Sequence, residues 1–339
     1  MCPHRPGLVG CAVVAVLCAT LAPRQVEPTT PSRGPGVRNA HGLAFDGRLT
    51  VLFGGASERA VVGDTWGWNG RSWQLLCGTG PASRTFPVMV GVPGEGVLLF
   101  GGRRVLFGAG LEPSQFLADL WSWDGRTWRA LAATGPSGRA EAAGAWDSKR
   151  RRLVVFGGYA ARDGDIARLG DTWEFGEGRW QQLAPEIAPA PRHGAAAWYD
   201  SGLGEVVLFG GNGASGESWS WNGTRWRRLD DRDVPGRYNA AVSAGGERLP
   251  VLRFGGWDGS RRRDDTWTWW SGAWTAVFSG ASPSPRNHAA LAYDSRRDRY
   301  VLVGGHDGDR VFGDVWEADD RGWTQRLAVV PRQRVDNSH

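Results

Sequence analysis

The chain has 339 residues, of which 41% are hydrophobic and 51 are glycine. That glycine content suits a turn-rich β protein better than a helical one. The formal charge is +5 and the pI is near 9.4, but 35 acidic residues are interspersed with the arginines and Lys149 is the sole lysine. Because nucleic-acid binding needs a one-sided basic surface, this charge pattern argues against a nucleic acid as partner.

Residues 1–22 have the pattern of an export signal. A weakly basic start precedes an apolar run from Leu8 to Ala22, which ends in small residues. The run is short for a membrane span and fits a secretory signal peptide. The stretch "LVGC" at 8–11 is similar to a lipobox, but too little apolar sequence precedes Cys11, so a lipoprotein is the weaker interpretation. We expect a secreted, periplasmic or cell-surface protein without a transmembrane span in the mature chain.

A Pro- and Gly-rich linker is predicted over 23–36 and a tail over 331–339. Of the four cysteines, Cys77 alone lies outside the predicted signal. No internal disulfide can then form, so the stability of the mature chain must come from packing.

One aromatic stretch of ten residues occurs six times, at 64–73, 119–128, 171–180, 217–226, 265–274 and 314–323. Each copy has an acid, then Trp two residues later, an aromatic residue two further on, and Trp five beyond that; only Ala318 breaks the middle column. The three columns hold six, four and six tryptophans, 16 of the 20 in the chain. A catalytic site uses a residue once, whereas a scaffold reuses it. The columns therefore predict packing, with each indole burying roughly 200 Å².

The rest of each repeat predicts β-strands. An arginine opens it, an aromatic–Asp pair marks a turn, and an aliphatic run leads to a glycine pair at 54, 101, 157, 210, 255 or 304, a mean spacing of 50 residues. Asn69-Gly70, Asp124-Gly125 and Asn222-Gly223 predict two-residue hairpin turns with positive φ at both positions. Four short strands per repeat and no helical periodicity indicate an all-β fold.

The period, the double glycine and the spaced aromatic residues resemble the kelch repeat. The resemblance covers about residues 37–328 and implies a six-bladed β-propeller with four antiparallel strands per blade. A WD propeller fits less well, since its period is shorter. The repeats are placed at 37–80, 81–135, 136–188, 189–233, 234–282 and 283–330, within a propeller over 37–330. Because the six blades are contiguous in sequence, we expect blade six to pack on blade one without strand exchange.

The arginines that open the repeats would cluster at one mouth of the central channel; they are Arg38, Arg84, Arg139, Arg192, Arg237 and Arg286. In one interpretation the ring binds a carboxylate or phosphate. In the other, each arginine pairs with the acid of its repeat and ties adjacent blades; these acids are Asp64, Asp119, Asp171, Glu217, Asp265 and Asp314. The one-to-one match of the two columns favours the structural interpretation.

Loops of variable length share the face of the arginine ring. From the glycine pair to the repeat acid they span 7 to 18 residues, and variable loops on a constant scaffold are where binding residues concentrate. We therefore expect recognition at the loops 103–118 and 159–170, with candidate binding residues Arg103, Arg104, Tyr159 and Trp257. The partner on this face would be an unknown protein or a glycan. "HDGDR" at 306–310 fits a solvated turn better than a cation site.

The kelch resemblance also admits an enzyme, since exported kelch proteins include galactose-oxidase-like copper enzymes and sialic-acid mutarotases. The copper ligand set cannot be matched, because Cys77 lies on a predicted outer strand and no set of tyrosines stands apart. No glutamate can be singled out in the channel, and His41, His193 and His288 closely follow repeat arginines, which suggests a structural role. The sequence thus predicts a monomeric, non-catalytic binding module without cofactor or metal, with a carbohydrate-active enzyme as alternative.

Overall fold

The computed structural model describes residues 34–105, 111–131, 134–212, 216–229, 234–270, 272–277 and 280–328. The predicted signal peptide, residues 23–33 of the predicted linker and the predicted tail lie outside the described residues. The described chain forms six four-stranded antiparallel sheets, together with a separate two-stranded hairpin. The six-bladed β-propeller expected from the repeats is confirmed.

Each sheet is a meander of four strands from one repeat, paired in chain order. Blades one to three comprise β1 (Gly42–Phe45), β2 (Thr50–Phe53), β3 (Thr65–Trp68), β4 (Trp73–Cys77); β5 (Val88–Val92), β6 (Gly96–Phe100), β7 (Leu120–Trp123), β8 (Trp128–Leu131); and β9 (Ala143–Asp147), β10 (Arg152–Phe156), β13 (Thr172–Gly176), β14 (Arg179–Leu183). Blades four to six comprise β15 (Ala196–Asp200), β16 (Glu205–Phe209), β17 (Ser218–Trp221), β18 (Trp226–Arg228); β19 (Ala241–Ser243), β20 (Val251–Phe254), β21 (Thr266–Trp270), β22 (Ala273–Val277); and β23 (Ala290–Asp294), β24 (Arg299–Val303), β25 (Val315–Asp319), β26 (Gly322–Leu327).

Two small elements lie in the long loops between the second and third strands. In the blade-two loop, of which residues 106–110 lie outside the described residues, Pro113–Gln115 form a 3-10 turn. The loop of blade three folds into the hairpin β11 (Tyr159–Arg162) and β12 (Asp165–Arg168). The two longest variable loops thus add structure on one face of the propeller, at blades two and three.

The first strands of the blades surround the axis, and each one contacts the first strand of the next blade, from β1 around to β23 and back to β1. Second strands are enclosed by neighbours on both faces, and β6, for example, is buried along its whole length. Fourth strands form the rim and are mostly exposed, as in β22. This gradient explains why the aliphatic runs before the glycine pairs show no alternation with polar residues.

The ring closes by packing, as expected. Blades one and six each take all four strands from their own repeats, and the described residues 34–36 form no strand. The indole of Trp68 donates to Oε1 of Glu317 at 2.9 Å, and the amide of Gly305 donates to the carbonyl of Arg38 at 3.0 Å. Leu52 and Val301 belong to one apolar cluster across the same interface.

The three tryptophan columns have three kinds of hydrogen-bond partner. Indoles of the first column donate to the acid of their own repeat at 2.6–2.8 Å, namely Trp66, Trp121, Trp173, Trp267 and Trp316. Indoles of the middle column donate to an acid of the preceding blade around the ring: Trp68 to Glu317, Trp123 to Asp46, Trp221 to Glu174, and Trp269 to Asp200. In the last column Trp128, Trp226 and Trp323 each donate to a threonine of the preceding blade at 2.9 Å. Most of these indoles therefore join blades as well as filling space.

The predicted two-residue hairpin turns are wrong. Trp68 pairs with Trp73, so the connection is a four-residue loop over 69–72, and Trp123 and Trp221 pair with the last tryptophans of their repeats in the same way. Only the glycine has positive φ in each turn; Gly70 has φ 93°. The Asn69 side chain accepts from the amides two and three residues on, at 2.8 and 2.9 Å. This side-chain turn replaces the expected backbone turn.

Blade six compensates for the tryptophan that its middle column lacks. Directly across from Ala318 on the neighbouring strand stands Tyr300, where the other blades have Thr, Val or Leu opposite Trp or Phe. Tyr300 is buried, and its hydroxyl donates to the carbonyl of Pro250 in blade five. The larger Tyr300 thereby restores part of the volume that is lost at Ala318.

This pairing predicts strong non-additivity between the two positions. Tyr300→Val leaves a cavity and should lower the free energy of unfolding by about 3 kcal/mol, and Ala318→Trp overpacks the site and should lower it by about 2 kcal/mol. The double variant recreates the Val–Trp pair of blades two, four and five and should lie within about 1 kcal/mol of the wild type. Urea unfolding of the four proteins tests this, and additive losses would contradict it.

Candidate functional site

The arginine ring is a set of buried ion pairs. Each of the six side chains is at most 3% exposed and contacts the acid of its own repeat. The N–O distances are 2.8 Å for Arg38–Asp64, 2.7 Å for Arg84–Asp119, 2.6 Å for Arg139–Asp171, 2.5 Å for Arg192–Glu217 and 2.6 Å for Arg286–Asp314, and Arg237 contacts Asp265. The pairing expected from the matched columns is present in every repeat.

The pairs do not themselves cross between blades, contrary to expectation. The guanidinium of Arg84 binds Asp119 and the carbonyl of Gly101, all within blade two. The backbone of the same arginine makes the link between blades, because its carbonyl accepts from the amide of Gly55 in blade one at 2.8 Å. Equivalent bonds of 2.8–3.0 Å occur at the other five glycine pairs.

The repeat acids of blades one to three are stabilised as carboxylates. Burial on its own would raise the pKa of Asp171, but hydrogen bonds and charge from Arg139, together with the indole of Trp173, outweigh burial and hold the pKa below its usual value. Asp64 and Asp119 behave in the same way. The acids, arginines and first-column tryptophans therefore form a charged scaffold.

Three positions per repeat face the axis beside this scaffold. One residue after the arginine stand Asn39, Thr85, Ala140, His193, Tyr238 and Asn287. Two residues after it stand Ala40, Phe86, Glu141, Gly194, Asn239 and His288, and directly after the glycine pairs stand Ala56, Arg103, Tyr159, Asn212, Trp257 and His306. In each repeat the first and third of these positions are joined by backbone hydrogen bonds. Every blade thus presents a short bridge at the channel mouth, and its side chains differ from blade to blade.

The middle position of each repeat forms a closed backbone ring. The amide of each residue donates to the carbonyl of the equivalent residue in the preceding blade, at 2.7–3.3 Å, and the ring closes with the amide of Ala40 donating to His288. All six residues have positive φ, between 50° and 65°. Five of them are not glycine, and this conformation is uncommon for such residues.

A cavity of about 850 Å³ opens on the face that carries the long loops. It spans blades two to five and is therefore displaced from the axis. Its walls are formed by Arg103, Leu111, Glu141, Tyr159, Ile166, Arg168, Pro191, His193, Asn212 and Tyr238. The volume and the mixture of apolar, aromatic and polar walls are typical of a site for a small molecule.

Glu141 lies at the inner end of this cavity, and its side chain is 1% exposed. Oε2 of Glu141 is 2.7 Å from Nδ1 of His193, and Nε2 of His193 is 2.9 Å from the amide nitrogen of Asn212. Because the amide nitrogen can only donate, Nε2 accepts and Nδ1 carries the proton that is donated to Glu141. Both nitrogens of His193 are thereby engaged.

His288 is held in the same manner on the opposite side of Glu141. Its Nε2 accepts from the amide of Asn239 at 2.6 Å, and its Nδ1 lies 2.9 Å from Nε2 of His306. Burial lowers the pKa of His288 to about 4 despite the charge of Glu141, and burial with the charge of Arg262 lowers the pKa of His306 to about 4. Both imidazoles are therefore neutral near pH 7.

Two tyrosines complete the wall beside Glu141. Burial and then the charge of Glu141 raise the pKa of Tyr159 to about 12 and that of Tyr238 further. Their rings meet His193 edge to face, with centroid distances of 5.0 and 5.4 Å. Both phenols therefore stay protonated near pH 7 and offer O–H donors at the inner end of the cavity.

Of the residues that the sequence singled out for binding, Arg103 and Tyr159 line the cavity. Arg104 is exposed outside it, and Trp257 is half-buried beneath Arg262, 5.2 Å from the guanidinium carbon. The six ring arginines are absent from its walls. Glu141 was not predicted from the sequence, and His193 and His288 were predicted to be structural. Their position could have indicated a site, because the residues directly after the invariant arginines differ in type from one repeat to the next.

The described residues form no group of three His, Cys, Asp or Glu side chains placed to hold a metal ion. Across the same part of the chain, no helix is long and apolar enough to cross a membrane.

No protein-family model matches the chain. Among curated proteins it is similar to the dynein alpha chain of the flagellar outer arm of Chlamydomonas reinhardtii, with 28% identity over 189 residues. The match covers 48% of this chain and 4% of the dynein chain. The similarity involves so small a part of the dynein chain that it carries no function over.

The buried ion pairs predict that a ring arginine matters for stability. Arg139→Ala leaves the carboxylate of Asp171 without its partner and should lower the free energy of unfolding by about 3 kcal/mol, the lower end of the range for a buried pair because Asp171 is 24% exposed. Arg126→Ala, at an exposed turn, is the matched control and should change it by less than about 0.5 kcal/mol. Denaturant melts compare the two, and equal losses would refute the scaffold role.

The buried histidines predict acid sensitivity. Burial and then the charge of Arg38 lower the pKa of His41 to about 3, so His41, His288 and His306 bind protons more readily unfolded than folded. The contribution of these neutral histidines to the free energy of unfolding is fully present above pH 6.5 and is lost as the pH falls from 6.5 towards 4. At about 1.4 kcal/mol per pKa unit, the loss is roughly 3 kcal/mol for one histidine. The measured free energy of unfolding should fall steeply as the pH is lowered across this range. His41→Gln should reduce the number of protons taken up on unfolding, which the slope against pH measures, by about one. A flat profile above pH 4 would contradict the assignment.

Proposed function

We propose that this chain is an exported propeller of kelch type that binds a carbohydrate in the cavity on its long-loop face, without catalysing a reaction on it. The apolar run over 8–22 supports export, and the 50-residue period with its glycine pairs supports the kelch type. The proposal of binding rests on the cavity, since its volume of about 850 Å³ accommodates one or two sugar rings.

The walls of the cavity match the chemistry of a sugar. Phenol, guanidinium and amide groups from Tyr159, Tyr238, Arg103, Arg168 and Asn212 offer hydrogen bonds to hydroxyls, and Leu111, Ile166 and Pro191 offer apolar surface to ring C–H groups. Arg103 and Tyr159 are themselves buried, so these groups are fixed before a ligand arrives. A rigid site loses less entropy on binding than a mobile one.

The engagement of the histidines favours binding over catalysis. A general base needs a nitrogen that can reach the proton it removes. Both nitrogens of His193 and both of His288 are bound to protein groups. The imidazoles at the inner end of the cavity therefore position their neighbours and have no free nitrogen for proton transfer.

A carbohydrate-active enzyme is the second candidate, and Glu141 is the observation that favours it. A buried carboxylate at the inner end of a ligand cavity is a common general base. Incubation of the protein with each sugar that binds, followed by NMR of the sugar, separates the candidates. An altered sugar supports the enzyme, and an unaltered one supports the binder.

Cavity binding predicts different effects for two exposed arginines on the same face. Arg168 lines the cavity and Arg104 does not. If Arg168 donates a hydrogen bond to the ligand, Arg168→Ala should weaken binding about 10-fold, and Arg104→Ala should change it less than about 2-fold. Calorimetric titration with a panel of mono- and disaccharides measures both. Binding weakened only by Arg104→Ala would move the site to the outer loops, and no binding by any sugar would refute the proposed ligand class.

A further inference from the structure

The propeller axis contains a second chamber of about 130 Å³ next to the cavity. Every blade contributes two consecutive residues to its wall: Ala40 and His41, Phe86 and Pro87, Glu141 and Ala142, Gly194 and Ala195, Asn239 and Ala240, His288 and Ala289. The second residue of each pair is Ala or Pro, with His41 as the exception. Glu141 belongs to the walls of both the cavity and the chamber.

Two buried polar side chains on the chamber wall have atoms without a hydrogen-bond partner among the described residues. These atoms are Oε1 of Glu141 and both ring nitrogens of His41. Oε1 lies 4.0 Å from Nε2 of His288, beyond hydrogen-bond distance. Nearly all buried polar groups in folded proteins have a partner. The unpaired Oε1 of Glu141, on the wall of both the chamber and the cavity, therefore points to an occupant that supplies a hydrogen bond from outside the chain.

The charge at the chamber defines the chemistry of that occupant. Glu141 is the single carboxylate among the residues that line the chamber and the cavity. Oε2 accepts a hydrogen bond from the imidazole of His193, and the hydroxyl of Tyr238 also reaches the carboxylate. Oε1 can accept a further hydrogen bond, and a cationic donor gives the strongest one. A bare metal ion is disfavoured because the described residues provide no cluster of three ligands. An ammonium group carries its own N–H donors and needs only acceptors.

We propose that the ligand carries a primary amine, whose ammonium form binds Oε1 of Glu141 while the rest of the ligand occupies the cavity. The chamber can hold a group of this size, since a water molecule takes about 30 Å³ and the chamber measures about 130 Å³. The inference rests on the proposed function and narrows its ligand to an amino sugar. The amine would point to the axis, and the hydroxyls would face Arg103 and Arg168.

Three sugars that differ at one substituent test this on the wild-type protein. Glucosamine, glucose and N-acetylglucosamine present an ammonium, a hydroxyl and an acetamide on the same ring. We expect glucosamine to bind about 10- to 100-fold more tightly than the other two, as a charge-assisted hydrogen bond allows. Raising the pH above the pKa of the sugar amine should abolish this preference and leave the affinity for glucose unchanged.

A pair of variants assigns the effect to Glu141. Glu141→Gln should bring the glucosamine-to-glucose affinity ratio close to one. Asp163→Asn, at the exposed turn of the β11–β12 hairpin, removes the same charge outside both cavities and should keep the ratio. Thermal melts establish that both variants fold. If Glu141→Gln does not fold, the pH dependence of the wild-type preference decides alone.

The outcomes separate this inference from the proposed function. Equal affinity for the three sugars would overturn the amine site and leave carbohydrate binding in place. Binding of ethanolamine without binding of any sugar would support the amine site and overturn the carbohydrate. Absence of binding by all four probes would overturn both.

Discussion

The carbonyl oxygen of each repeat arginine lies against the glycine pair of the preceding blade, and the remainder of the propeller depends on this joint. A Cβ atom at Gly54 would lie 2.7 Å from the carbonyl oxygen of Arg84, and the amide of Gly55 binds the same oxygen. No larger residue could stand at Gly54 without separating the blades. The guanidinium then anchors the arginine within its own blade through Asp119. Six such joints set the spacing between blades, and the indoles fill and bridge the interfaces at that spacing.

The joint also explains where a site can form. It fixes the arginine and the glycine pair, so the residues that directly follow them are carried to the axis with little freedom of backbone position. Their side chains have no partner imposed by the repeat, which is why His193, Tyr159 and Glu141 can differ from their counterparts in other blades. Insertions at blades two and three add Leu111, Ile166 and Arg168 on one side. The cavity is consequently off-axis, in spite of the six-fold scaffold.

The repeat columns were sufficient to predict the blade number, the strand count, closure without exchange and the arginine–acid pairs, because each is set by a residue type that recurs at fixed spacing. The site was predictable only in part. Arg103 and Tyr159 were identified through loop length. Glu141 instead lies two residues after a repeat arginine, in the short segment before the first strand of its blade, where a structural role was the natural interpretation. Its meeting with His193 and His288 depends on contacts between blades three, four and six, and sequence distance within one repeat does not reveal them. The environment of Arg253 could not be predicted either. This arginine stands where other repeats have an aliphatic residue, and three aromatic rings lie 5.0 Å from its guanidinium carbon.

The backbone at the axis gives a physical reason to regard the inner side chains as functional. The residue two after each arginine has positive φ, a conformation that costs a non-glycine residue about 1–2 kcal/mol, and glycine would avoid that cost. Gly194 shows that glycine fits the ring of backbone hydrogen bonds as well as any other residue. Glu141, Asn239 and His288 nevertheless keep polar side chains at equivalent positions, buried where an unsatisfied polar atom is destabilising. Stability alone would favour glycine or a small apolar residue at these positions. The retention of polar side chains at these positions supports the proposal that the cluster at the axis has a binding role.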